Sequence, residues 1–265
     1  MTITEFIKNN PDNKDWLKIA DRFYLTGTNK QKSDKVRKLY NSIYKNGNPN
    51  NVLVVGDLHL PFELDDYLDF CVHQYKRFNC GKVVFIGDII DNHYQSFHES
   101  NPDGYTAGQE LELCITKLKE WYKAFPDAII TTGNHDRLIS RRAVSSNLSS
   151  RWFRPLNEVL GVPDWKFVDE YIYNDILYVH GEQSNATTKA QNEFRSVVSG
   201  HTHTEGYVKL LNGGKNFAMQ VGTGIDFKSY AFAYAQRGKQ PILSCGIILN
   251  QDPIIIPFSN DYRTK

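Results

Sequence analysis

Two histidines one residue apart, His201 and His203, lie in the segment VVSGHTHTEG, which runs from Val197 to Gly206. Glycines and threonines surround them and offer little apolar surface, so packing in a hydrophobic core does not explain these positions. Neutral imidazole is the commonest metal ligand among side chains. The pair therefore predicts a metal site, which needs further ligands from elsewhere in the chain.

Other polar side chains follow short apolar runs in the segments VGDLHL, GDIIDN, GNHD and VHGE. They are Asp57, His59, Asp88, Asp91, Asn134, His135, Asp136 and His180. With the opening pair, five of the eight histidines of the chain directly follow such runs. A recurrence of this kind at five places is too regular for coincidence, and it indicates one shared site.

This donor set indicates a centre with two divalent cations. The carboxylates of Asp57 and Asp88, with a bridging hydroxide, partly neutralise the cations, and the imidazoles and amide add donor atoms without charge. The centre stays net positive and attracts phosphate. Mixed imidazole and carboxylate ligands suit Mn, Fe or Zn better than Mg. Two such ions, about 3.5–4 Å apart, clamp the attacking and leaving oxygens of a displacement at phosphorus.

The apolar runs predict the elements that position these residues. VLVVGD, KVVFIGD and AIITTGN read as strands that end in glycine and a polar residue, with helices over roughly 64–79 and 107–124 between them. This alternation predicts a parallel β-α-β-α-β unit, in which chemistry collects at the carboxyl ends of the strands. ILYVHG, SVVSGH, FAMQVGTG and CGIILN predict further strands in the second half.

The ordered motifs GDLH, GDIID, GNHD, VHG and GHTH resemble those of the calcineurin-like metallophosphoesterase superfamily, over residues 52 to about 225. The resemblance implies an α/β fold, a four-layer αββα sandwich of two sheets flanked by helices. It also implies two groups of metal ligands joined by one bridging carboxylate. One group is Asp57, His59 and His203, the other is Asn134, His180 and His201, and the bridge is Asp88.

His135 is the motif histidine that this assignment leaves without a metal. In the family, this position protonates the leaving oxygen or stabilises the charged transition state. A cationic imidazole beside two metals needs a supporting carboxylate. Asp91, one helical turn after Asp88, and Asp136, the next residue, both satisfy this need, and the sequence leaves the choice between them open.

The motifs depart from those of the protein phosphatases, which typically read GDxHG, GDxVDRG and GNHE. Leu60 replaces the glycine of the first motif, IIDNHY lacks Arg-Gly after Asp91, and GNHD replaces GNHE. The nuclease and phosphodiesterase branch is the closer resemblance. It implies hydrolysis of phosphodiesters in nucleic acid or nucleotides, by metal-hydroxide attack with His135 as the acid.

An arginine-rich segment, DRLISRRAVSSNLSSRWFR, follows His135 directly. Arginine binds phosphate through a planar fork, and Trp152 and Phe153 offer faces on which bases stack. The segment reads either as a substrate groove or as a solvated helix face. The substrate contacts predicted in and near it are Arg137, Arg141, Arg142 and His93, with His98 as a further candidate from the loop after GDIID.

Residues 1–50 form a predicted helical extension to a phosphoesterase domain over residues 51–265. The extension holds ten Lys+Arg against five Asp+Glu, and helices over 12–26 and 35–45 predict either a helix-turn-helix or a structural cap. The chain as a whole carries a formal net charge of +1, which gives no general argument for nucleic acid or membrane binding.

The sequence contains none of the patterns that are typical of membrane-spanning or secreted proteins, or of zinc sites built from cysteines. No apolar stretch approaches the roughly 20 residues of a membrane span, and the N-terminus lacks the pattern of a signal peptide. The four cysteines have no zinc-like spacing, so we expect reduced, buried thiols and a cytoplasmic protein. The sequence does not indicate an oligomeric state. The alternative functions are a phosphomonoesterase and, outside this class, a non-catalytic DNA-binding scaffold, which would be expected to have lost metal ligands.

Overall fold

The N-terminal helices form a small cluster with its own apolar core. The computed structural model of the chain describes residues 1–10, 13–44, 47–97, 101–232 and 238–259. The cluster consists of helices α1 (Ile3–Asn9), α2 (Trp16–Arg22) and α3 (Asn29–Tyr44). Their buried residues are Phe6, Ile7, Ile19, Ala20, Val36 and Tyr40. Residue 12, in the first predicted helix, and residue 45, in the second, lie outside the described residues.

Helix α3 begins at Asn29, six residues before the start predicted at residue 35. The segment TGTNKQKS, which precedes the predicted start, contains a capping box. The backbone N–H of Thr28 donates to Gln31 Oε1 at 2.9 Å, and the N–H of Gln31 donates to Thr28 Oγ1 at 3.3 Å. These two bonds satisfy donors at the helix start, so the helix includes residues that propensity alone assigns to a turn.

The first sheet has six strands in the order β11-β10-β1-β2-β3-β4. Its strands are β1 (Asn48–Val55), β2 (Cys80–Phe85), β3 (Ala128–Thr131), β4 (Lys166–Val168), β10 (Ser244–Leu249) and β11 (Asp252–Pro257). Strands β1 to β4 are parallel to one another, which confirms the parallel order predicted for β1 to β3, and β10 pairs antiparallel with both β1 and β11. Strand β1 begins at Asn48, inside the segment NGNPNN, whose composition is typical of a turn.

The second sheet has five strands in the order β5-β6-β7-β9-β8. They are β5 (Glu170–Tyr173), β6 (Ile176–Val179), β7 (Ser196–Ser199), β8 (Tyr207–Leu211) and β9 (Asn216–Gln220). Strands β6, β7 and β9 are parallel to one another. Their carboxyl ends therefore lie at one edge of this sheet.

The remaining helices are α4 (Tyr67–Arg77), α5 (Ala107–Ala124), α6 (Leu138–Ser145), α7 (Leu156–Val159) and α8 (Ala186–Glu193). Helix α5 matches the predicted range, and α4 is shorter at both ends. Side chains along β1 point alternately to the two faces of the first sheet. Leu53 and Val55 pack against α4 and α5, and Val52 and Val54 pack between the two sheets. Helix α8 covers the far face of the second sheet. The predicted four-layer αββα sandwich is confirmed.

Along the described residues, no helix combines the length and the apolar character needed to cross a bilayer.

Candidate metal centre

The loops at the carboxyl ends of five parallel strands meet at one edge of the sandwich. The strands are β1, β2 and β3 of the first sheet and β6 and β7 of the second. The structure brings together all seven predicted metal ligands there, which are Asp57, His59, Asp88, Asn134, His180, His201 and His203. The parallel topology therefore converts five motifs distant in sequence into one site.

One group of ligands consists of Asp57, His59 and His203, whose donor atoms lie within 4.8 Å of one another. His203 Nε2 is 3.0 Å from Asp57 Oδ2 and 3.2 Å from His59 Nε2. Asp57 and His59 are buried and His203 is half-buried. The group is open on the side of His203.

The second group of ligands is arranged around His180 Nε2. This nitrogen is 3.0 Å from Asn134 Oδ1, 3.2 Å from His201 Nδ1 and 3.2 Å from Asp88 Oδ2. His201 and His203 therefore belong to different groups. The backbone N–H of His201 donates to Asp57 Oδ2 at 3.0 Å, which ties the loop that carries both histidines to the first group.

Asp88 lies between the two groups. Its Oδ2 is 3.6 Å from His59 Nε2 on one side and 3.2 Å from His180 Nε2 on the other. Its Oδ1 accepts the backbone N–H of His135 at 2.8 Å. Asp88, His59 and His201 all have positive φ, at 46°, 50° and 69°, in the left-handed region that costs a non-glycine residue energy. Such strain persists where the surrounding structure holds a functional side chain in place.

In His59 and His180, the hydrogen bond made by Nδ1 determines that Nε2 is the nitrogen that faces the ligand group. His59 Nδ1 is 2.7 Å from Asp91 Oδ1, and His180 Nδ1 is 2.8 Å from the carbonyl oxygen of Ile86. Both acceptors require a proton on Nδ1, so each Nε2 presents its lone pair to its group. A carboxylate or carbonyl behind an imidazole is the usual support of a metal-bound histidine.

The donor set fits two cations. Asp57 Oδ1 is buried and has no hydrogen-bond partner among the described residues. Imidazole nitrogens also face each other at 3.2 Å in both groups, between His59 and His203 and between His180 and His201. Facing lone pairs and an unpaired buried carboxylate oxygen are costly unless a cation or proton lies among them. The described residues therefore fit a dinuclear metal site.

Charge in the site acts in opposite directions on two histidines. Burial opposes a proton on His180, but the carboxylates of Asp88 and Asp57 outweigh it and raise the pKa of His180 to about 10. Burial dominates at His59 and, with the charge on His135, holds the pKa of His59 well below its ordinary value. The negative potential that favours a proton on His180 also favours a metal cation, so metal binding would release that proton.

His135 lies beside the metal ligands without being one of them. Its Nδ1 is 2.5 Å from the carbonyl oxygen of Asp91 and 3.5 Å from Asp91 Oδ1. Burial opposes protonation of the ring, yet the carboxylates of Asp88 and Asp91 outweigh it and raise the pKa of His135. The ring lines the same cavity as the ligands. This arrangement places an imidazole with a raised pKa beside the two ligand groups.

Asp91, and not Asp136, is the carboxylate that contacts His135. Asp91 is buried, and its side chain also holds the ligand His59. Asp136 instead accepts three backbone N–H groups, those of Gly133 at 2.8 Å, Ile89 at 3.0 Å and Ile90 at 3.3 Å. Of the two carboxylates that the sequence left open, Asp91 is therefore the one in contact with His135.

Removing the Asp136 side chain is expected to cost stability. The Asp136→Ala variant leaves the N–H groups of Gly133, Ile89 and Ile90 without their acceptor, so the free energy of unfolding falls by about 2–4 kcal/mol. Urea denaturation followed by circular dichroism measures this. The control, Asp103→Ala, changes an exposed carboxylate and is expected to stay within about 0.5 kcal/mol of wild type. Equal urea midpoints for the two variants would contradict a stabilising role for the bonds that Asp136 accepts.

Gly200 lies against the ligand Asp57. A Cβ at position 200 would be 2.3 Å from Asp57 Oδ1 and 2.5 Å from Ile86 Cγ2. We expect Gly200→Ala to displace the carboxylate and weaken Mn²⁺ binding by about 10–100-fold, as for other disturbances of ligand orientation. Equilibrium dialysis measures the affinity. Gly108→Ala, where a Cβ meets open space in α5, is the matched control, and equal affinities in both variants would count against this contact.

The structure does not bring Arg137 and Arg142 to the metal cavity. The Arg137 guanidinium pairs with Asp169 at 3.0 Å and Glu182 at 3.2 Å. The guanidinium of Arg142 donates to the backbone carbonyl oxygens of Gln95, at 2.9 Å, and Ser96. Both residues were predicted as substrate contacts. In the structure, their guanidinium groups bind protein acceptors that are distant in the sequence.

The other predicted contacts lie outside the cavity wall as well. The Arg141 guanidinium lies over the ring of Phe97, 5.1 Å from its centroid, on the surface of α6. His93 Nδ1 is 3.8 Å from Asp91 Oδ2, and His93 Nε2 accepts the backbone N–H of Asn101 at 3.3 Å. His93 thus belongs to the support behind Asp91. His98 lies outside the described residues.

Sequence reasoning missed the wall opposite the metal ligands. The cavity has a volume of about 210 Å³, and six residues outside the motifs complete its lining. They are Thr204, Ile225, Phe227, Phe232, Lys239 and Pro241. The backbone N–H of Ile242 donates to the carbonyl oxygen of His203 at 2.7 Å, which holds this segment beside the site. No motif or spacing distinguishes these residues from ordinary loop and core positions.

Solved structures that are similar to this chain include the following three. The phosphoesterase Yfce from E. coli is 15% identical, with 78% of this chain and 92% of that chain covered and a TM-score of 0.40. Vacuolar Protein Sorting 29 from Cryptosporidium parvum is 14% identical, with 78% and 95% covered and a TM-score of 0.40. The nuclease MPE from Pseudomonas putida is 17% identical, with 77% and 87% covered and a TM-score of 0.38.

No curated protein matches the chain at a significant level. The family model described as calcineurin-like phosphoesterase matches residues 51–205, which is more than half of the chain. The match includes all five motifs quoted from the sequence and all seven residues of the two ligand groups. The chain belongs to the calcineurin-like phosphoesterase family.

Proposed function

We propose that the protein hydrolyses phosphodiesters of nucleic acid or nucleotides with the help of two divalent metal ions, Mn first and Fe or Zn as alternatives. The observation that carries the metal-dependent chemistry is the position of Asp88, whose Oδ2 lies between the two ligand groups at 3.6 and 3.2 Å from their nearest nitrogens. This carboxylate lies on the wall of a cavity that His135 also lines.

Asp57, His59 and His203 would hold one ion, Asn134, His180 and His201 the other, and Asp88 both. When bound, such a pair activates water and polarises phosphoryl oxygens. Mixed nitrogen and oxygen donors favour Mn, Fe or Zn over Mg. The ligands come from the ends of rigid strands, which keeps their geometry fixed as the substrate enters.

His135 is the residue that we assign to proton transfer. Its Nδ1 is occupied by the carbonyl oxygen of Asp91, which leaves Nε2 for a substrate in the cavity. Protonated His135 donates to the leaving oxygen as the phosphorus–oxygen bond breaks. The Asp91 carboxylate, 3.5 Å from Nδ1, stabilises the charged ring before this transfer.

The preference for diesters rests on the motif departures and on the surface beside α6. The arginine that protein phosphatases carry after the second motif is missing here. Arg151 and Arg154 are exposed, Trp152 is 83% exposed, and Phe153 is 43% exposed. Cations interleaved with exposed aromatic faces suit a single strand, because phosphates pair with arginine and bases stack on rings.

The test compares initial rates on bis-p-nitrophenyl phosphate and p-nitrophenyl phosphate, with Mn²⁺ and with EDTA. We expect Mn²⁺-dependent hydrolysis that is faster on the diester. Faster monoester cleavage would contradict the diester preference and favour a phosphomonoesterase. Inactivity towards both esters with metal bound would favour the non-catalytic scaffold.

We extend the proposal to the organisation and location of the chain. Helices α1–α3 have their own apolar core, which supports an extension over residues 1–50 beside a phosphoesterase domain over 51–265. The exposed Lys30 and Lys38 of α3 support a nucleic-acid contact by this extension. Cys71, Cys80, Cys114 and Cys245 are buried and unpaired, which supports a reducing compartment such as the cytoplasm.

A further inference from the structure

The wall of the metal cavity that faces the ligands combines one cation with an aromatic surface. Lys239 is exposed, and it is the one lysine or arginine among the described residues that line the cavity. Among the same residues, no carboxylate lies within 4.0 Å of its ammonium group. An ammonium group with no carboxylate partner among the described residues, on the wall of a phosphate-binding site, is available to a phosphate oxygen.

The rest of this wall is rigid and apolar. Ile225 and Phe232 are almost fully buried, and Phe227 is half-buried. The Phe232 ring meets the ring of the ligand His59 edge to face, with centroids 5.6 Å apart, and Phe62 packs behind Phe232 at 6.4 Å. An apolar wall in contact with a metal ligand lies next to the atoms that react, and a planar group of the substrate fits against it.

The size of the cavity limits what enters it. Its volume of about 210 Å³ is below the roughly 300–1,000 Å³ of ordinary ligand pockets. A phosphate with one attached planar ring fits such a space, whereas a base pair with both of its backbones exceeds it. The cavity therefore favours an unpaired nucleotide at the reacting position.

We propose that Lys239 and the wall of Phe227 and Phe232 form the specificity subsite for an unpaired nucleotide. Lys239 binds a non-bridging oxygen of the scissile or the adjacent phosphate, and the aromatic wall contacts the base. Lys239 thereby supplies, from a different part of the chain, the phosphate-binding cation that the motif after Asp91 lacks. The substrate class is single-stranded nucleic acid or free nucleotides. This inference rests on the proposed phosphoesterase function.

The test of Lys239 uses the Mn²⁺-loaded full chain and two readouts. Lys239→Met is expected to raise KM for bis-p-nitrophenyl phosphate, and the Kd for inorganic phosphate measured by calorimetry, by about tenfold each, with a smaller change in kcat. Lys239→Arg should restore most of both values. Lys228→Met is the matched control, since Lys228 is exposed in the same part of the chain but does not line the cavity.

The test of the wall uses a ratio of substrates. Phe227→Ala is expected to lower the ratio of kcat/KM for bis-p-nitrophenyl phosphate to that for methyl p-nitrophenyl phosphate by about tenfold, because only the first carries a second ring. Phe194→Ala, which removes an exposed ring that does not line the cavity, should leave the ratio unchanged. Wild type should also cleave a single-stranded oligonucleotide faster than its duplex.

The outcomes separate the two proposals. A wild type that hydrolyses no phosphoester overturns the proposed function, and the phosphate Kd of Lys239→Met then decides the role of Lys239 alone. An active wild type with unchanged KM and phosphate Kd in Lys239→Met overturns the subsite and leaves the proposed function standing. An unchanged ratio in Phe227→Ala, or equal cleavage of single strand and duplex, overturns the assignment of the wall.

Discussion

Asp88→Asn is expected to lower kcat/KM by about 10³-fold or more, because a carboxylate shared by two cations is replaced with a neutral amide. Asp88 lies between the two groups of ligands, with its Oδ2 3.6 Å from His59 Nε2 and 3.2 Å from His180 Nε2. Asparagine has the same size but no charge, so the cations lose attraction without a change in packing. Metal content by mass spectrometry should fall together with the rate.

Asp65→Asn is the control for this variant, since the Asp65 side chain is 99% exposed and remote from the ligand groups. Its metal content and activity should match those of wild type. Two metals per chain and a wild-type rate in Asp88→Asn would contradict the bridging role. Loss of metal with an intact fold, measured by circular dichroism, would support it.

His135→Ala is expected to lower kcat by about 10²–10⁴-fold on esters with a poor leaving group, while both metals stay bound. The ring packs edge to face against the His59 ring, with centroids 4.5 Å apart, but its Nδ1 bonds to the backbone carbonyl oxygen of Asp91 and not to a ligand group. An acid matters most when the leaving oxygen is basic. The loss should therefore be large for a dinucleotide and small for a p-nitrophenyl ester, whose leaving group departs without a proton.

The pattern of losses distinguishes proton transfer from general damage to the site. A uniform loss on both kinds of ester, or a loss of metal from His135→Ala, would contradict the assignment of His135 as acid. Burial opposes a proton on the ring, but the carboxylates of Asp88 and Asp91 outweigh it and raise the pKa of His135, which favours the protonated acid. An activity on the dinucleotide that declines as pH rises above neutrality is the corresponding expectation.

The apolar runs were sufficient to predict the parallel strands and the convergence of the motifs, and the family resemblance implied the four-layer fold. Short apolar runs that end in glycine and a polar residue determine both the strands and the residues that follow them. Parallel order then requires that Asp57, Asp88 and Asn134 meet at one edge. The resemblance also implied that His201 and His203 belong to different groups, whereas the positive φ of His201 is a backbone detail that no pattern indicates.

What the sequence could not predict depends on contacts between distant segments. From the sequence alone, Arg137 and Arg142 resemble phosphate-binding residues. In the structure, Arg137 pairs with Asp169 and Glu182, and Arg142 donates to two backbone carbonyl groups. Lys239 belongs to no motif, and backbone bonds of Ile242 to His203 and Thr223 hold its segment beside the cavity. Partners of long cationic side chains are chosen by tertiary structure, so spacing alone cannot assign them.

The most direct test of the central claim is electron paramagnetic resonance of the chain loaded with Mn²⁺. The account predicts two ions per chain about 3.5–4 Å apart, and hence the spectrum of an exchange-coupled pair. Asp88→Asn should convert it to the spectrum of isolated ions or abolish binding. A wild-type protein that binds one isolated Mn²⁺ ion, or none, would contradict the dinuclear centre from which the function is inferred.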